Sequence, residues 1–140
     1  MIEEDYLSVD VVRLLVERGF DLSEFHGDWY TDYGNTEWMN EVSEEDKEKG
    51  TIIINQYQYP LIPLQIAIKW LRKKGLHIFV PLEIDYDEDE RGDKWYHKAT
   101  YFPEIRRVSD GKIMYDDGSL YAEPEQAYEV AIKYCLENLI

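Results

Sequence analysis

The chain has 140 residues, with 15 basic against 30 acidic side chains and a formal net charge of −15. Its single Cys excludes an intrachain disulfide and a thiolate zinc cage, and no apolar run approaches the ~20 residues that cross a bilayer. An aromatic share of 14%, including 12 Tyr and 4 Trp, belongs to a chain that folds rather than one that stays disordered.

The acids are spread along the chain: residues 1–70 hold 15 acids and 5 bases, and residues 71–140 hold 15 acids and 10 bases. Such a charge repels phosphate backbones, so direct contact with nucleic acid is not expected. The densest basic stretch, Lys69, Arg72, Lys73 and Lys74, suits a helix C-terminus, where cations offset unsatisfied carbonyls. The first five residues carry Glu3, Glu4 and Asp5, where a secretory signal would be basic. The expectation is one cytoplasmic domain over residues 1–140 with no membrane association.

Apolar periodicity predicts a helix over 9–18. Ser8 stands at its N-cap, Val11, Val12, Leu15 and Val16 form one face, and Asp10, Arg13 and Glu17 form the other. Gly19 then supplies the left-handed stop, and Phe20 folds back on the last turn. Residues 21–50 show no sustained period, apart from a short strand expected near 29–33. Residues 51–59 read as a strand because Ile52, Ile53 and Ile54 are β-branched. Pro63 opens a second helix that runs to about Lys74, its apolar stripe made by Leu64, Ala67, Ile68 and Leu71 and widened by Ile66 and Trp70. Gly75 ends it.

Strict alternation over 76–86 predicts a strand with Leu76, Ile78, Val80, Leu82, Ile84 and Tyr86 on one face. Pro81 marks an edge or a bulge within it. A charged turn and a strand over 94–102 complete a long hairpin, and a second hairpin follows around Ser109-Asp110-Gly111. The last helix starts near Pro124. Glu125, Glu129, Lys133 and Glu137 form its polar stripe, and Ala127, Ala131, Cys135 and Leu139 its buried one. This helix is expected to share a core with Ile78, Val80 and Leu82.

Four groups of residues invite a chemical reading. The run from Asp85 to Asp93 places carboxylates at alternate positions, as a calcium loop does. It lacks the central Gly and the final Glu, since Glu90 and Tyr96 stand there, so it reads as a solvated turn. His26, His77 and His97 are isolated in sequence, although the last two could face each other across the long hairpin. Cys135 sits on the apolar side of the last helix and reads as structural. No phosphate loop, nucleophile elbow or metal spacing appears, so no catalytic residue, cofactor or metal is expected, and the chain reads as a non-enzyme. The aromatic stretch containing Trp29, Tyr30, Tyr33 and Trp38 is the candidate protein-binding surface, because such rings bring large area at little rotamer entropy.

The C-terminal half resembles a group of small uncharacterised acidic proteins encoded by gut anaerobic bacteria and their phages. The resemblance lies in residues 67–72 (Ala-Ile-Lys-Trp-Leu-Arg), the hairpin after them, and residues 131–140 (Ala-Ile-Lys-Tyr-Cys-Leu-Glu-Asn-Leu-Ile). It implies a phage or mobile-element setting and brings no catalytic residue with it.

The sequence therefore predicts an α+β fold: an antiparallel sheet of three to five strands with about three helices packed mainly on one face. The expected function is a non-enzymatic protein–protein interaction module with a protein partner; self-association is compatible with the same surface. The alternative is an acidic nucleic-acid mimic that occupies a DNA-binding protein.

Overall fold

In the computed structural model, described for residues 5–22, 25, 27, 29–31, 54 and 58–140 (backbone alone at 29–31, 58 and 97), the pattern after Ser8 folds as helix α1, Val9–Glu17. Its apolar stripe buries Val11, Val12 and Leu15. Ser8 has the extended backbone of an N-cap, but its hydroxyl makes no capping bond. Its backbone N–H instead donates to Glu129 Oε1 at 2.8 Å, which ties the start of α1 to the last helix. At the other end Gly19 takes φ +105°, open to glycine at little cost. That lets the Phe20 N–H reach the Leu15 carbonyl at 3.1 Å and the Gly19 N–H reach that of Val16 at 3.1 Å. This pair of bonds is the Schellman closure the sequence predicts, and it sets the Phe20 ring edge-on to Trp70, 6.1 Å between centroids.

Helix α2, Leu64–Lys73, begins one residue after Pro63, which serves as its N-cap. Leu64, Ala67 and Leu71 are buried, whereas Ile66 is exposed rather than widening the stripe. The Leu7 N–H donates to Ile62 and the Leu64 N–H to Asp5, so the chain start is clamped beside the head of α2. Helix α3, Pro124–Tyr134, carries Pro at its start, where the missing N–H costs nothing. It continues as a π-helical turn, Cys135–Leu139, with Cys135 and Leu136 both fully buried.

Among the described residues three antiparallel sheets accompany the helices. Strands β1, Trp29–Thr31, and β2, Gln58–Pro60, form a two-stranded sheet, with Tyr30 opposite Tyr59. Of the strand expected over 51–59, residues 51–53 and 55–57 lie outside the described residues; Ile54 packs against the core. Strands β3, Leu76–Phe79, β6, Glu104–Arg107, and β7, Ile113–Tyr115, form a three-stranded sheet in the order β3-β6-β7. Strands β4, Leu82–Glu88, and β5, Lys94–Tyr101, form a separate two-stranded ribbon.

The fold is α+β. Leu76, Ile78 and Ile105 on one face of the three-stranded sheet join Leu71, Ala131, Ile132, Cys135 and Leu136 in the core. Each such Leu or Ile contributes about 1.5–3 kcal/mol by leaving water. Phe79 and Arg106 are exposed on the opposite sheet face, the guanidinium lying 5.8 Å from the ring centroid. The helices therefore pack on one face of this sheet, and α3 shares the core of Ile78 and Val80 as the sequence predicts.

Two expectations need correction. Leu82, Ile84 and Tyr86 do not continue the core face of Ile78: they are 52%, 40% and 57% exposed. Pro81 cannot donate to a ladder, and the pairing breaks there: β3 pairs with β6, while β4 pairs with β5. For the same reason His77 and His97 do not face each other. His77 lies opposite Arg106, and His97 belongs to β5, in a different sheet.

Candidate functional site

The ribbon of β4 and β5 leaves the body between two prolines. Its foot is held where the Phe102 N–H donates to the Pro81 carbonyl at 3.3 Å, beside the buried Pro103. On the far side of β5, Tyr101 and Tyr121 exchange backbone bonds of 2.8 and 2.7 Å. The tip closes through Asp89, whose Oδ1 accepts from the N–H groups of Arg91 at 2.9 Å and Asp93 at 3.0 Å. An Asp in that position suits a tight turn because its side chain replaces a backbone acceptor.

Register sorts the side chains. Leu82 lies opposite Tyr101, Ile84 opposite Ala99 and Tyr86 opposite Tyr96, so these six share one face. Glu83 opposite Thr100, Asp85 opposite Lys98 and Asp87 opposite Trp95 make the other. A bulge between Asp85 and Tyr86 leaves His97 as the extra residue on β5. The first face is apolar and open to solvent, with Tyr96 61% exposed beside Leu82, Ile84 and Tyr86. Between Glu83 and Asp93 the ribbon carries seven carboxylates and one cation, Arg91. It is an apolar strip with a strongly acidic border.

Of the residues expected to bind a partner, none belongs to β4 or β5. Trp29 and Tyr30 are in β1, two backbones that pair with β2; Tyr33 and Trp38 lie outside the described residues. The exposed strip escapes the sequence reading because alternation over 76–86 puts Leu82, Ile84 and Tyr86 on the same face as Ile78. Pro81, in the middle of that alternation, is the signal that could have separated them.

Other groups offer less. The Cys135 thiol is fully buried, and burial pushes it up to about 12, so it is no thiolate nucleophile near neutral pH. Lys69 and Arg72 share a shallow cleft with His77 and Tyr128 at the α2–β3 junction, and the Lys74 ammonium lies 5.1 Å from the Trp70 ring centroid. Among the described residues no group of three His, Cys, Asp or Glu side chains could hold a metal ion, and no helix is long and apolar enough to cross a membrane. No protein-family model, curated protein or solved structure matches the chain.

Proposed function

We propose that the chain is a non-enzymatic protein-binding module that docks its partner on the apolar face of the β4–β5 ribbon. The observation that carries this is the exposure of Leu82, Ile84, Tyr86 and Tyr96 together, each 40–61% open on one side of one ribbon. Contiguous apolar surface of this kind on a small domain marks an interaction site, because leaving it in water forgoes the burial that stabilises the rest of the fold. Trp29, Tyr30, Tyr33 and Trp38 remain proposed as a further contact. The gut-anaerobe and phage resemblance would place the partner among host or phage proteins.

The second reading, mimicry of nucleic acid, is favoured by the seven carboxylates between Glu83 and Asp93. It ranks lower because Lys94 pairs opposite Glu88 and Lys98 opposite Asp85, which breaks a phosphate-like row. A comparison of captures from a host lysate by the natural chain, by Ile84→Ser/Tyr86→Ser and by Trp38→Ala separates the readings. The double substitution is expected to abolish capture of a defined protein set while shifting stability by no more than about 0.5 kcal/mol, as exposed positions do. Capture that survives it and falls steeply with salt would favour mimicry instead.

A further inference from the structure

Among the described residues the ribbon has an unpaired edge as well as an apolar face. Tyr101 turns its N–H and carbonyl away from β4 to meet Tyr121, so Leu82, opposite it, also turns its own outward. In an antiparallel pair this outward orientation recurs every second residue along an unbulged strand. Ile84 and Tyr86 therefore present N–H and C=O groups along the outer edge of β4. Among the described residues no strand pairs with that edge, whereas the outer edge of β5 is closed at its foot by the Tyr101–Tyr121 bridge. An open edge of this kind is a template for another strand.

We infer that the outer edge of β4 receives an extended segment of a partner protein in which apolar residues alternate with Lys or Arg. The inference rests on the docking reading above and adds its geometry and its chemistry. A strand laid on β4 must repeat the period of two. Beside Leu82, Ile84 and Tyr86 it presents apolar residues on the ribbon's open face. On the other face it lies beside Glu83, Asp85 and Asp87, a border that stays acidic although Lys98 lies opposite Asp85, and opposite charges across strands stabilise where like charges oppose. The ribbon already shows the preference on its inner side, where Lys98 lies opposite Asp85. The same charge disfavours a second copy of this chain as occupant: pairing β4 with β4 brings two acidic rows together on a molecule of net charge −15.

The test is a titration of the whole protein, with backbone amides resolved by NMR, using two blocked octapeptides: alternating valine and lysine, and alternating valine and glutamate. The lysine peptide is expected to bind about tenfold or more tightly than the glutamate peptide and to slow exchange of the Leu82, Ile84 and Tyr86 amides. Ile84→Pro, which removes an outward N–H and leaves the β4–β5 ladder its own bonds, is expected to lose most of that binding. Glu83→Lys, at a position opposite Thr100, is expected to erase the preference for the lysine peptide, and it serves if the proline variant does not fold. Equal affinity for the two peptides, binding without slowed amides, or amides already slow in the free protein would overturn the inference. Retention of the lysate partner then shows separately whether the apolar face still docks it.

Discussion

Gly27 shows how tightly one residue is held. A Cβ built on it would overlap the Phe25 ring, coming within 2.8 Å of Cε2 and closer still to Cζ. Phe25 is itself 7% exposed and belongs to the core, so it has little room to retreat. Gly27→Ala should therefore destabilise the fold by about 1–3 kcal/mol, the usual cost of overpacking, as a lower midpoint in urea unfolding. An unchanged midpoint would mean that the ring moves freely. No periodicity announces this contact, since it joins two loop residues. Ser8 is a milder case: its residue type predicts the cap correctly, but the bond that holds it runs from its backbone to Glu129, 121 positions away, and long-range partners leave no local trace.

At the scale of elements, legibility follows punctuation. Helices α1, α2 and α3 could be read because a 3.6-residue stripe is bounded by Gly19, Pro63, Gly75 and Pro124. The ribbon could be read as a hairpin but not as an exposed one, because alternation gives the faces of a strand and not what lies against them. The β6–β7 hairpin could be read down to its turn. There Asp110 pairs with the Arg107 guanidinium and accepts the Lys112 N–H at 3.1 Å. The Arg107 hydrogen bond, then the Lys112 amide, hold its carboxyl well below the usual carboxylate range. A folded-state pKa below the unfolded one contributes stability that is present above the unfolded value and lost as pH falls through the folded one. Asp110→Asn should thus lower the melting temperature slightly at pH 7, and the difference should shrink steadily below about pH 4. The effect is small because the pair is fully in solvent. A difference that persists unchanged into strong acid would assign the turn's stability to something other than the carboxylate.

For the molecule as a whole, the dominant fact is a charge of −15 on 140 residues. Self-repulsion at that level opposes the compact state, and exposed ion pairs such as Arg13–Asp10 at 3.5 Å offset little of it. Raising sodium chloride from a few millimolar to physiological strength should raise the melting temperature, because the Debye length shortens to about 8 Å and screens repulsion between distant carboxylates. A melting temperature that falls with salt would show that attractive pairs outweigh the net charge. The break at Pro81 has one more consequence. The side chains that make the core, such as Ile78 and Ile105, and those of the exposed apolar strip, such as Ile84 and Tyr86, belong to different sheets. The core cluster contains no residue of the ribbon, so substitutions at its exposed positions leave that cluster alone. A lineage carrying this chain can therefore drift at the exposed positions of one arm, generation after generation, without passing through forms that fail to fold; if the proposed docking holds, the choice of partner drifts with them.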